Sequence, residues 1–326
     1  MKKIFITGGA GYVGSRLVPK LLSLGHQVTV LDLMIYGEDL FEKHKNLVII
    51  KGDIRDINKI DQNLTDHDVI IHLACISNDP SFELNPTLGK SINLDAFEPL
   101  VKISMKKKVK HFIYASSSSV YGIKNEKNVT EDMSLEPLTD YSRFKADCEK
   151  ILNKYSSDNF ITTTIRPSTV CGYAKRQRLD LVVNILTNHA FHNREIKVFG
   201  GDQLRPNVHI EDMVDSYITV LNANYKKINR QIFNVGFKNQ TVNELAEDVM
   251  SVIGDDVKVI RTKSDDNRSY HVSSQKIKDI LNFETKYTVK DAVFDLKSVF
   301  EKKILTNTFN DEFFFNIKRM NSINLK

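Results

Sequence analysis

The segment from Lys3 to Asp32 constrains the fold more than any other. A short apolar run, Lys3–Thr7, leads into Thr7-Gly8-Gly9-Ala10-Gly11-Tyr12-Val13-Gly14, then an amphipathic stretch, then a second apolar run ending in Asp32. Gly8, Gly11 and Gly14 permit a tight turn, a close approach of backbone to a diphosphate, and close helix–sheet packing. A helix opening there presents free N–H groups and the positive end of its dipole to phosphates. Glycine-rich turns are common, so the pattern gains its weight from context: after a strand, before a helix, and about 20 residues ahead of an acid. A carboxylate at Asp32 accepts hydrogen bonds from the adenosine ribose and repels a 2′-phosphate, which favours NAD over NADP. Asp53, in Lys51-Gly52-Asp53-Ile54, ends a third apolar run, where a side chain reaches toward adenine; Gly-Asp is also ordinary turn chemistry.

Beyond this segment, short apolar runs keep alternating with helical patterns. Strands are predicted at Lys3–Thr7, Gln27–Leu33, Leu47–Lys51, Asp68–Leu73, His111–Ala115 and Ile161–Ile165, most of them apolar enough to be buried on both faces. Helices are predicted at Gly11–Leu24 and Ser91–Lys107. This alternation implies an α/β fold, a Rossmann-type doubly wound parallel sheet, whose ligands lie at the carboxyl ends of the strands. The second half is less regular. Helices are expected at Leu179–Phe191, Asp212–Leu221, Thr241–Ile253, Ser273–Leu281 and Val289–Phe300, and a strand at Gln231–Val235. We therefore expect a dinucleotide-binding domain over 1–170, rejoined by about 207–237, and a smaller mixed C-terminal lobe over 171–326 for substrate.

Composition narrows the class. The 326 residues are 41% hydrophobic and 27% charged, with a net charge of +5 and no basic footprint for nucleic acid. Cys75, Cys148 and Cys171 are too far apart for a zinc or redox motif and read as idle thiols in a reducing compartment. Lysines precede Ile4-Phe5-Ile6, but that run is too short for a signal peptide, and no apolar stretch approaches the ~18 residues of a membrane span. A cytoplasmic enzyme with no metal, no membrane partner and no nucleic-acid partner is expected. Phe313-Phe314-Phe315 is expected to dock on a surface or on a partner subunit.

Two further segments carry chemistry. Ala115-Ser116-Ser117-Ser118-Ser119-Val120-Tyr121-Gly122 places hydroxyls at the end of an apolar strand, and Tyr141-Ser142-Arg143-Phe144-Lys145 puts a tyrosine and a lysine on one helix face. In a chain with eleven tyrosines the Tyr-x-x-x-Lys spacing is weak alone; its value lies in the order of the four motifs. In that order, with His72-Leu73-Ala74, Asn93, Arg166-Pro167 and Arg205-Pro206-Asn207-Val208-His209-Ile210-Glu211-Asp212, the chain resembles the extended short-chain dehydrogenase/reductases that act on nucleotide sugars, over roughly residues 3–300.

The resemblance implies NAD as cofactor, a homodimer, and a nucleotide-diphosphate sugar as substrate. It implies cofactor contacts from Gly8, Gly11, Tyr12, Val13, Gly14, Asp32, Asp53, Ile54, Leu73, Ala74 and Asn93. Tyr141 would be the base that takes the sugar hydroxyl proton, helped by Lys145, which also holds the nicotinamide ribose. A free phenol titrates near ~10, so the base needs nearby positive charge. Ser117 would orient the reacting oxygen, with Ser116 and Ser118 as rivals. On the substrate side the resemblance points to Arg205 and Arg268 for the diphosphate, where a planar guanidinium suits phosphate oxygens. Thr169 stands where epimerases often have asparagine, which leaves that contact open. Ser77 and Asn78 either meet sugar hydroxyls or form a turn before Pro80. The run Lys175-Arg176-Gln177-Arg178-Leu179-Asp180-Leu181-Val182-Val183-Asn184 resembles a subgroup that includes heptose- and deoxysugar-modifying members. Arg176 or Arg178 would face the nucleotide and Asn184 the pocket, or the charges cap the following helix. Family dehydratases carry Asp-Glu after the catalytic hydroxyl residue, whereas this chain has Ser118-Ser119. The reading is thus an epimerase working by reversible hydride transfer at one carbon, with a 4-dehydrogenase or 4-ketoreductase as the alternative.

Overall fold

The computed structural model describes residues 1–263 and 271–326. Their strands, in chain order, are β1 (Lys3–Thr7), β2 (Gln27–Asp32), β3 (Leu47–Lys51), β4 (Val69–His72), β5 (His111–Ala115), β6 (Ile161–Pro167), β7 (Thr169–Cys171), β8 (Glu195–Phe199), β9 (Leu204–His209), β10 (Gln231–Val235), β11 (Lys238–Thr241) and β12 (Lys258–Thr262). Among the described residues, seven of these form one sheet in the order β10-β6-β5-β4-β1-β2-β3, with every neighbouring pair parallel. The direction of winding reverses between β1 and β4, so a crevice opens there at the carboxyl ends.

The apolar runs explain both faces of this sheet. On one side Leu17, Val18 and Leu21 of helix Gly14–Ser23 and Val214, Tyr217 and Leu221 of helix Ile210–Asn222 cover Ile4, Ile6, Val28 and Val30. On the other, Leu100 and Val101 of helix Phe97–Lys106 and Cys148 and Leu152 of helix Asp140–Tyr155 cover Phe5, Ile70, Phe112 and Tyr114. One strand departs from expectation: β3 has a single neighbour, β2, and leaves Val48 and Ile49 55% and 41% exposed. Apolar composition there reflects strand propensity at an edge, not two-sided burial. The stretch predicted as one helix from Ser91 begins instead as a wide π-turn, Ser91–Asp95, before the regular helix Phe97–Lys106.

The remaining strands build two smaller sheets, β11-β9-β7, which is mixed, and β12-β8, which is parallel. Helices Val182–Asn193, Val242–Ile253 and Val289–Glu301 pack together against them through Val183, Leu186, Leu245, Val249 and Val293. Phe314 and Phe315 dock on this chain's own second lobe, beside Leu179, Leu296 and Phe300.

Candidate active site

The loops at the carboxyl ends of the strands surround a cavity of about 490 Å³. Gly8, Gly11, Tyr12, Val13 and Gly14 line it from the turn after β1, with Asp32 after β2 and Asp53 and Ile54 after β3. Leu73, Ala74, Ser77 and Asn78 line it from the loop after β4; Ser117, Ser118, Tyr141 and Lys145 from β5 and helix Asp140–Tyr155; and Thr169, Arg176 and Arg205 from the second lobe. Residues from Gly8 to Arg205 are thereby brought to one crevice.

The glycine turn is shaped for close approach. Gly8 has φ +72°, and a Cβ there would lie 2.4 Å from the Ala74 amide nitrogen. A Cβ on Gly14 would lie 2.2 Å from the Gly9 carbonyl oxygen, so a side chain would push the helix off the turn. Asp32 braces the same turn: its carboxylate accepts from Ala10 N–H at 2.9 Å and Met34 N–H at 2.8 Å. Burial pushes this carboxyl above its ordinary range, and the two N–H groups and Arg176 pull back the other way. Its remaining lone pairs are available to the cavity. Asp53 is half-engaged by Arg55, whose Nε and Nη2 donate to it at 3.0 and 2.6 Å. Burial raises that carboxyl, but Arg55 outweighs it and the net shift is downward. This set fits a dinucleotide: backbone space and helix N–H groups for a diphosphate, and two acids for the adenosine end.

At the other strands the hydroxyl-rich turn is sorted by its neighbours. Ser116 is buried and donates to Glu149, which holds Arg166 bidentately at 3.0 and 2.6 Å; Arg166 also donates to the Tyr121 oxygen at 2.7 Å. This network fixes the end of β5 and engages the Ser116 hydroxyl as a donor, although Ser116 also lines the cavity. Ser117, with extended backbone, shares a hydrogen bond with Ser119 at 2.9 Å and faces the cavity. Helix Asp140–Tyr155 starts on a capping box between Thr139 and Ser142, which sets the angle at which Tyr141 and Lys145 enter. Lys145 Nζ donates to the Ala115 carbonyl at 2.7 Å and sits 5.9 Å from the Tyr141 ring centre. Burial raises the Tyr141 phenol above its ordinary value, with Cys75 and Asp79 adding to the rise; Arg178 and a hydrogen bond with Ser117 oppose it.

Two expected contacts lie elsewhere. Asn93 is behind the wall, clamping the loop after β4 by accepting Ile76 N–H at 2.8 Å and donating to Ile76 C=O at 2.9 Å. Asn184 is fully buried: it accepts Gly172 N–H at 3.0 Å and donates to the Tyr12 oxygen at 3.0 Å and Arg178 C=O at 2.8 Å. Its amide is spent on joining the two lobes, so the expected pocket contact is corrected to an internal brace. Arg268 lies outside the described residues. Asn78 faces the cavity but also caps the short helix after it, accepting Ser81 N–H at 3.0 Å. The cavity further includes Tyr36, Asn316, Met320 and Leu325, which sequence reasoning missed; no local pattern marks a tail that folds back over the first domain.

Residues 4–236, well over half the chain, match the model of the NAD dependent epimerase/dehydratase family. The chain belongs to that family. The chain is similar to a UDP-glucose 4-epimerase from Lactobacillus helveticus, 27% identical over 89% of this chain and 94% of that protein. A UDP-N-acetyl-alpha-D-glucosaminuronate decarboxylase from Bacillus cytotoxicus is 28% identical over 79% of this chain and 83% of that one. The fold is shared with the crystal structure of the Thermotoga maritima UDP-glucose 4-epimerase solved with UDP-glucose, at a TM-score of 0.84 and 24% identity over 93% of this chain and all of that one. The family member described here is accordingly an NAD-dependent enzyme of the extended short-chain dehydrogenase/reductase type. Among the described residues no helix is long and apolar enough to cross a membrane, and no group of three His, Cys, Asp or Glu side chains is placed to hold a metal.

Proposed function

We propose that this enzyme is a nucleotide-sugar epimerase that inverts one sugar carbon, C4, by removing and returning the same hydride. The observation that carries the reading is the set of groups at the end of β5. Ser117, Tyr141 and Lys145 share one cavity with the glycine turn, while Ser118 and Ser119 occupy the places where dehydratases of the family carry an acid and a base. That equipment serves proton and hydride transfer at one carbon and supplies no acid–base pair for elimination.

NAD, when bound, supplies the hydride acceptor and, in its oxidised form, a positive ring. Tyr141 takes the hydroxyl proton at its phenolic oxygen and returns it after the sugar has turned. Ser117 hydrogen-bonds the same sugar oxygen and holds it for the transfer. Lys145, anchored on the Ala115 carbonyl, keeps a positive charge beside the Tyr141 ring. Gly8, Gly11, Gly14, Asp32 and Asp53 hold the dinucleotide. Arg205 and Thr169 face the nucleotide sugar, whose diphosphate Arg205 suits as a bidentate donor.

The test is incubation of the purified enzyme with UDP-, GDP-, CDP- and dTDP-sugars, followed by mass spectrometry and NMR of the products. An epimer of unchanged mass, formed over many turnovers without lasting NADH absorbance, is the expected result. A ketosugar lighter by two hydrogens, formed in step with NADH, would replace the epimerase reading with the 4-dehydrogenase one.

A further inference from the structure

The loop between β7 and helix Val182–Asn193 carries two arginines that are buried rather than solvated, Arg176 at 4% and Arg178 at 7% exposure. Arg176 lies 3.6 Å above the Tyr36 ring and gives Nη2 to the Asn316 oxygen at 2.5 Å. Its backbone N–H points to Ser15 Oγ at 3.3 Å, on the helix that opens from the glycine turn. Arg178 gives Nε to Asp180 at 2.8 Å and Nη1 to Ser77 at 3.2 Å. One N–H site on each guanidinium, Nε of Arg176 and Nη2 of Arg178, is buried with no hydrogen-bond partner, and both residues line the cavity. Asp180 is the carboxylate of Arg178, so Arg176 has no ion-pair partner among the described residues. A buried cation with an unused donor is costly unless an anion completes it.

The surroundings say which anion. Arg176 is placed by Ser15 and by Tyr36, which follow β1 and β2, and it acts electrostatically on Asp32. These are cofactor-side elements. Asn316 gathers them: its side-chain oxygen accepts from Tyr36 Oη at 2.9 Å as well as from Arg176, its Nδ2 donates to Ser77 at 2.9 Å, and its N–H goes to Asp180 at 3.1 Å. Met320 and Leu325, on the same segment, line the cavity with Ile54. We propose that Arg176 and Arg178, positioned by Asn316, form a second diphosphate site that clasps the dinucleotide from the second lobe, beside the helix that opens at the glycine turn, so that the substrate lobe and the segment 316–326 are part of the cofactor site. The glycine turn supplies backbone donors; the clasp supplies the charge. This inference rests on NAD dependence and not on the epimerase reading.

A nucleotide sugar also carries a diphosphate, so the test sets the two sources apart. Arg176→Met, Arg178→Met and Asn316→Ala are compared with the unaltered enzyme after removal of bound dinucleotide. Three quantities are read: the Kd for NADH by fluorescence, the Kd for UDP, GDP, CDP and dTDP by calorimetry, and the ligand-free melting temperature. Loss of a charge-assisted hydrogen bond to phosphate weakens binding about 10- to 100-fold. The expected result is a loss of that size for NADH in either arginine variant, several-fold in Asn316→Ala, and less than about threefold for any nucleoside diphosphate. Arg176→Lys, which keeps the charge but not the planar stack on Tyr36, should restore part of the NADH affinity. If Arg176→Met fails to fold, Arg178→Met and Asn316→Ala decide the matter. NADH affinity unchanged within about threefold overturns the clasp, and a nucleoside diphosphate weakened as much as NADH or more assigns the arginines to the substrate instead.

Discussion

Glu149→Gln tests how the reactive turn is held. Arg166 and Glu149 are 2% and 6% exposed and face each other through two short hydrogen bonds at 3.0 and 2.6 Å. Burial works against the Arg166 charge, but Glu149 outweighs it, and the guanidinium is held more firmly protonated than usual. Glutamine keeps the shape but sets an NH2 against guanidinium donors and leaves a buried cation without its counter-charge. Breaking a buried pair from one side costs about 3–5 kcal/mol, against a total stability of about 5–15 kcal/mol. The double change Glu149→Leu with Arg166→Met removes both charges. What remains is the lost partner of Ser116, one of the two partners of Tyr121 and the Arg166 donor to the Glu131 carbonyl, so it should cost only about 1–3 kcal/mol, less than the single variant. Chemical denaturation followed by circular dichroism reads all three, and kcat should fall alongside, because Ser117 follows directly on Ser116. A Glu149→Gln variant within about 1 kcal/mol of the parent would refute the buried-pair argument, as would a double variant costing as much as Glu149→Gln or more.

Two other outcomes are expected. Tyr141→Phe should lower kcat by at least about a hundredfold with the Kd for NAD nearly unchanged, whereas Lys145→Met should weaken both; a Phe variant retaining more activity would remove Tyr141 as the base. His72 and His111, bonded to Thr7 and Thr163, are each pushed by burial from 6.5 down to about 3. The unfolded chain therefore takes up protons that the native one refuses: stability is complete above pH 6.5 and is lost as pH falls toward 3. The slope approaches about 1.4 kcal/mol per pH unit for each histidine. Melting curves between pH 6.5 and 5, above the main carboxylate range, check this; a flat melting temperature there would sink it.

What the sequence made legible follows from what local pattern encodes. β1, β3 and β5 lie at the predicted bounds, because strands paired on both edges and covered by helices leave apolar runs, and even the edge strand β3 keeps the composition. The turn after β1 and the Tyr141–Lys145 face were legible because backbone space and helical spacing are local properties. β11, with the sequence Lys-Asn-Gln-Thr, was not, since a polar strand exists only by pairing with β9. Asn184 read as a pocket residue because its neighbours in Arg178–Val183 resemble a ligand-facing motif; only the fold shows Tyr12 waiting for its amide. Asn316 was invisible for a similar reason: its partners Tyr36, Ser77, Arg176 and Asp180 lie 136 to 280 positions away in the chain.

The electrostatics tie these parts into one device. The Tyr141 phenol sits where burial, Cys75 and Asp79 all favour its neutral form, and of the groups opposing them Arg178 is the charged one. For its proposed part as the base, Tyr141 needs more positive charge beside it, and burial makes each added charge count for more than it would in water. Arg178 reaches Tyr141 electrostatically from the second lobe while its Nη1 is held by Ser77 on the first, and Asn316 bonds the same Ser77. A residue that bridges the two lobes, Arg178, therefore also acts on the Tyr141 phenol. In the proposed reaction, Arg178 and the positive ring of the oxidised dinucleotide are the charges that would favour the Tyr141 phenolate against its burial.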